Sequence, residues 1–140
     1  MNKEISDYTF DEIKLGTTKS FEVEITEAML DTFANLSGDF NPLHMDKEYA
    51  NSEGFSGRVC SGMLLGSFFS RLIGMYLPGK NSLYFSQSLN FVNPCVINEK
   101  ITISGEVLDK STASKIITVK TTIINESKKT IVDGVACVRI

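Results

Sequence analysis

The sequence predicts an α+β domain in which one long, mostly apolar helix is wrapped by a curved antiparallel sheet of five or six strands. Two observations carry this. Apolar side chains recur at helical spacing up to about residue 80 and at every second position beyond it. The connections between the later apolar runs, LDKSTAS and NESKK, are short and polar, as antiparallel neighbours require.

Taken in order, the first expected element is a strand from Thr18 to Ile25. TEAMLDTFANLSG then places Met29, Leu30, Phe33 and Leu36 at helical spacing, opens on Thr26 as an N-cap and stops near Gly38. A helix over roughly 27–36 follows. From Asn41 to Arg58 the chain is polar and turn-rich, and Pro42 forces Asn41 out of the helical region, so an irregular excursion with room for one helical turn is expected.

A second helix is expected over 62–76. Gly62, Gly66, Ser70 and Gly74 recur every four residues as a stripe of small side chains, while Leu64, Leu65, Phe68, Phe69, Leu72, Ile73 and Tyr76 cover the other directions. Each glycine costs about 1 kcal/mol of helix propensity against alanine, so something packs tightly or binds along that stripe. A helix of ~24 Å that is apolar on most sides needs cover all round, which a wrapped sheet supplies.

The remaining elements are strands. In SLYFSQSLNF, Leu83, Phe85, Leu89 and Phe91 alternate with Tyr84, Ser86, Ser88 and Asn90; KITISGEV groups Ile101, Ile103 and Val107 in the same way. KIITVKTTII and TIVDGVACVRI complete the series. No repeat, low-complexity tract or linker interrupts the 140 residues, so one domain over 1–140 is expected.

Composition narrows the function classes. Hydrophobic residues are 42% and charged residues 22%, as in a globular chain, and the net charge of −3 with dispersed Lys and Arg excludes a nucleic-acid groove. MNKEISDYTFDEIK is charged throughout and lacks an apolar h-region, which points to the cytoplasm. GMLLGSFFSRLIGMYL is shorter than the ~20 apolar residues of a membrane span and carries Arg71 at its middle. Cys60, Cys95 and Cys137 are odd in number and widely spaced, so they are expected to be reduced packing residues, with neither a disulfide framework nor a metal site.

The chemistry is concentrated in SGDFNPLHMD, which holds the only histidine of the chain. Asp39 and His44 on one Pro-stiffened segment can be held about a water apart, as an acid/base pair able to orient that water and exchange protons near neutral pH. FANLSGDFNPLHMD, GFSGRVCSGMLLGSFFSRLIG and PGKNSLYFSQSLNFVNPC together resemble the MaoC-like, (R)-specific enoyl-CoA hydratases.

The resemblance implies the hot-dog fold, the architecture that the periodicities also predict. It implies Asp39 and His44 as the catalytic pair, Asn41 and Pro42 as the turn that aims them, Gly62 as the residue whose N–H meets the thioester carbonyl, and Ser70 as a residue lining the site. Unpaired N–H groups and a positive dipole end at a helix start suit an oxygen that gains charge. No metal or other cofactor is implied. Ser61 stands where many relatives carry histidine, so His44 has no second imidazole to assist it.

The implied reaction is reversible syn addition of water across the 2,3-double bond of a trans-2-enoyl thioester, giving the (R)-3-hydroxyacyl product. Coenzyme A is the expected carrier, with Arg58, Lys47 or Lys80 as candidate phosphate contacts. Rival readings are a dehydratase acting on acyl-carrier-protein substrates and a non-catalytic acyl-thioester-binding module. A hot-dog thioesterase is disfavoured, because residues 62–76 contain no carboxylate. Five or six strands cannot cover such a helix without open edges, so at least a homodimer is expected, without nucleic acid or membrane partners.

Overall fold

The computed structural model describes residues 4–140; the first three residues of the charged amino-terminal stretch lie outside that range. The chain runs β1 (Thr18–Glu24), α1 (Glu27–Ser37), α2 (Pro42–Met45), α3 (Lys47–Ser52) and α4 (Gly62–Arg71), which a π-helical turn, Leu72–Tyr76, extends. Then come β2 (Leu83–Gln87), β3 (Asn90–Phe91), β4 (Lys100–Ser111), β5 (Ile116–Asn125) and β6 (Thr130–Arg139). The six strands form one antiparallel sheet in the order β1-β4-β5-β6-β2, with β3 also pairing to β6. One edge is therefore β1 and the other is shared by β2 and β3.

Helix α1 forms where the sequence places it. Thr26 Oγ1 accepts the Met29 N–H at 3.3 Å at its start. Gly38 closes it at φ 79°, a left-handed conformation that a Cβ would oppose, and donates its N–H to the Ala34 carbonyl at 2.8 Å.

Helix α4 and its π-helical turn are the spine against which the sheet packs. Leu65, Phe69 and Leu72 join Ile101, Ile103, Ile123 and Ile131 in one buried cluster. Ile73 and Leu77 join Val107, Ile117, Val119 and Val138 in a second. Full burial of such side chains stabilises by about 1.5–3 kcal/mol each relative to exposure, so this packing outweighs the propensity lost to the glycines.

Close packing accounts for the first half of the small-residue stripe. A Cβ on Gly62 would lie 2.7 Å from Cδ1 and Cε1 of Phe91, and one on Gly66 would lie 3.1 Å from Cδ1 of Leu89. At Gly74 the same test finds open space.

Three expectations need correction. The 41–58 segment holds two short helices, α2 and α3, because Asn41 and Asp46 each cap a new helical start with a side-chain oxygen. The expected single strand over 82–91 is two, interrupted at Ser88 and Leu89; within β2 the register against β6 also shifts between Tyr84 and Ser86, and Leu83 and Phe85 are exposed while Tyr84 packs against the second cluster. The polar LDKSTAS stretch is only partly a turn, since β4 continues to Ser111 before the chain reverses. Among the described residues no helix is long and apolar enough to cross a membrane.

Candidate active site

The segment that leaves α1 is built from local polar bonds. Ser37 Oγ donates to the Phe33 carbonyl at 2.7 Å and accepts the Asp39 N–H at 3.1 Å. Asp39 Oδ1 accepts the Asn41 N–H at 3.1 Å, and Asn41 Oδ1 accepts the Leu43 N–H at 3.0 Å. Pro42 opens α2, where its missing N–H is no loss, and His44 follows within the same turn.

The His44 ring is oriented by the chain opposite. Its Nδ1 lies 2.8 Å from the Val59 carbonyl oxygen. A carbonyl only accepts, so Nδ1 carries the hydrogen and Nε2 is the free nitrogen. Nε2 faces Asp39 Oδ2 at 3.8 Å, beyond a direct hydrogen bond but close enough for one water to bridge both. The side chains are 20% and 46% exposed, so solvent reaches the pair.

Beside the imidazole a cleft of about 360 Å³ is lined by His44, Cys60, Gly62, Leu65, Phe91 and Asn93 among others. Gly62 begins α4, and the Ser61 side chain makes no capping bond there, so the first amides of α4 take no hydrogen bond from the N-cap side chain. The Phe91 ring packs against Gly62 as one wall. Asp39 does not line the cleft itself and reaches it through His44. A wider hollow of about 770 Å³ lies by Arg71 and Tyr76 at the far end of the helix and contains no histidine, so the acid/base pair is not there.

The other expected residues are distributed differently. Ser70 is exposed and sits eight residues beyond Gly62, ~12 Å along the helix, outside the lining of the cleft. Asn41 spends its side-chain oxygen on the α2 cap, the turn-forming role. Arg58 is corrected outright as a phosphate contact. It is 7% exposed and bonded to Asp31, Glu27 and the His44 carbonyl, because it bridges α1 and α2. Lys47 and Lys80 are exposed and do not line the cleft.

Sequence reasoning missed Val59, whose backbone oxygen carries no signal in the sequence, and Phe91 as a wall of the site. The clamp role of Arg58 did leave a trace: Glu27 and Asp31, four apart on α1, ask for a cation. Among the described residues no group of His, Cys, Asp and Glu is arranged to hold a metal ion. Cys60 and Cys95 are free and buried. Burial pushes the Cys60 thiol up to about 12 and Cys95 higher still, which fits packing residues.

The family model of the MaoC like domain matches residues 12–129. The chain belongs to the MaoC-like family. Among relatives of this MaoC-like chain, the (R)-specific enoyl-CoA hydratase of Aeromonas caviae is 36% identical over 128 residues, covering 91% of this chain and 96% of that protein. A protein of the same description from Rhodospirillum rubrum is 34% identical, over 94% of this chain and 90% of its own length. The solved structure of the (R)-hydratase PhaJ1 of Pseudomonas aeruginosa, unliganded, superposes with a TM-score of 0.92 at 32% identity, covering 97% of this chain and 87% of that one. With the A. caviae (R)-hydratase structure at a TM-score of 0.89, these neighbours give the MaoC-like chain the hot-dog fold, its sheet left open at both edges.

Proposed function

We propose that this chain, as one MaoC-like domain over 1–140, is an (R)-specific enoyl-CoA hydratase that also runs the reverse dehydration of (R)-3-hydroxyacyl thioesters. The observation that carries the reading is the Asp39–His44 pair: Nε2 and Oδ2 are 3.8 Å apart, and His44 opens onto the cleft at the start of α4. The names of the two curated relatives support the same reading.

The geometry supplies a mechanism. A water between Nε2 and Oδ2 donates one O–H to each acceptor, which leaves its oxygen lone pair directed at the substrate. As that oxygen attacks C3, one member of the pair takes a proton and electron density moves onto the thioester carbonyl. The Gly62 N–H, with the dipole end of α4, stabilises the carbonyl oxygen as it gains that charge. The pair then delivers a proton to C2, so that H and OH are added and the enzyme returns to its first state. Ser70 is proposed to line the substrate's path further along the helix.

The working species is proposed to be at least a homodimer in the cytoplasm. Leu83, Phe85, Phe91 and Val92 are exposed on the β2/β3 edge, beside the cleft wall, where a second copy can extend the sheet and complete each site. Activity and size measured together by sedimentation across a dilution series should fall together; a fully active monomer rejects this.

The direct test follows the loss of enoyl-thioester absorbance with short and medium trans-2-enoyl-CoA esters, alongside the same acyl groups on acyl carrier protein. Rapid hydration of the CoA esters supports the reading, and turnover confined to the carrier-protein substrates assigns the rival dehydratase role. Asp39→Asn and His44→Ala should each lower turnover by roughly 10²-fold or more. Near-normal rates in either variant reject the proposed pair.

A further inference from the structure

We infer that Arg58 is a positioning residue whose buried guanidinium ties together the two elements that carry Asp39 and His44. The inference deepens the hydratase reading and rests on it. On one side, Arg58 Nη2 donates to Asp31 Oδ1 at 2.6 Å and Nη1 to Glu27 Oε1 at 3.4 Å. Both acceptors belong to α1, the helix that runs through Gly38 directly into Asp39. On the other side, Nε donates to the His44 carbonyl at 2.7 Å.

The next residue completes the grip. The Val59 carbonyl receives the His44 Nδ1–H at 2.8 Å, and the Val59 N–H donates to the Leu43 carbonyl at 3.0 Å. Arg58 and Val59 thus hold His44 by its backbone and by its ring. This matters because α2 has only four residues and buries none of them, so packing alone does little to fix the imidazole. A planar, forked cation satisfies a carboxylate on one helix and a carbonyl on another at once in a fixed geometry, which the single ammonium of a lysine does less well.

The single histidine makes the consequence readable, since its ring nitrogens give the only imidazole ¹⁵N signals of the chain. In the wild-type protein the neutral ring should be held as the Nδ1–H tautomer. In Arg58→Gln the tautomers should mix, and kcat for enoyl-CoA hydration should fall roughly 10²-fold while KM stays near its wild-type value, the signature of misplaced reacting groups. Arg58→Lys should restore part of both. If Arg58→Gln fails to fold, Asp31→Asn loosens only the α1 limb from a half-exposed position and should shift the tautomer balance and kcat in the same direction, by about tenfold in rate. A merely structural Arg58 would lower thermal stability and leave the tautomer and the kcat of the folded protein unchanged, which overturns the inference. A locked tautomer in a wild-type protein that hydrates no enoyl thioester overturns the hydratase reading instead.

Discussion

Gly62→Ala tests the tightest packing in the site. The added methyl would sit 2.7 Å from two carbons of the Phe91 ring and 3.0 Å from a third. Ordinary carbon contacts lie near ~3.5–4.0 Å, so the ring or the start of α4 must move by about 1 Å. Overpacking of this kind costs about 1–3 kcal/mol, and the better helix propensity of alanine returns at most about 1 kcal/mol. The variant should therefore be destabilised by about 1–2 kcal/mol, a fall in Tm of roughly 3–6 °C for a chain of this size. If the ring moves, it narrows the cleft; if the helix moves, the Gly62 amide leaves its place. Either response should lower kcat/KM by roughly 10–10²-fold. Thermal unfolding and the hydration assay read the two effects. Phe91→Leu in the same chain removes the ring atoms that clash, so the double variant should recover stability relative to Gly62→Ala. Unchanged stability and rate in Gly62→Ala, or a double variant no better than the single, would refute the contact as drawn.

Three further outcomes follow from the same geometry. If Asp39 and His44 share one water, the variant carrying both Asp39→Asn and His44→Ala should be little slower than either single variant, measured by the same assay. Burial keeps the Cys60 and Cys95 thiols neutral, so a thiol reagent at pH 8 should modify Cys137 ahead of both until the protein unfolds, as counted by mass spectrometry. Burial also pushes the Tyr84 phenol up to about 12 from an ordinary value of 10. The neutral form is the one favoured in the fold, so its stabilising contribution should be complete below about pH 10 and disappear as the pH rises towards 12. Urea midpoints of wild type and Tyr84→Phe across that range check this, because only the wild type should show the Tyr84 share of the loss.

Long periodic elements were legible from the sequence and short ones were not. α4 announces itself by the number of apolar residues it must bury, and β4 and β5 by alternation against that helix, whereas in β6 the adjacent Ile131 and Val132 are both buried. α2 and α3 depend on the caps that Asn41 and Asp46 provide, and four to six residues are too few for a period to emerge. The break between β2 and β3 depends on pairing with β6, a partner some 45 residues away, which local alternation cannot register. At the site, the wording around Asp39 and His44 marked the pair, but their spacing is set by Val59 through a backbone oxygen. Glu27 and Asp31, four apart on α1, ask for a cation, but nothing in the sequence matches them to Arg58, because they come near it only through the tertiary fold.

The two borders of the sheet are chemically unlike. β1 presents Lys19, Glu22 and Glu24 along its length, whereas the β2/β3 border presents Leu83, Phe85, Phe91 and Val92. A sheet with two adhesive borders adds copies at both ends and grows into a fibre. With one adhesive border, the same attraction is exhausted once two copies have met through a two-fold axis, because only charged strands then face outward. If two copies associate as proposed, placing the large exposed apolar side chains of the sheet's rim on one side would make that association self-limiting, and replacing the β1 carboxylates with apolar residues, such as Glu22→Val with Glu24→Val, would turn the proposed closed assembly into an open one.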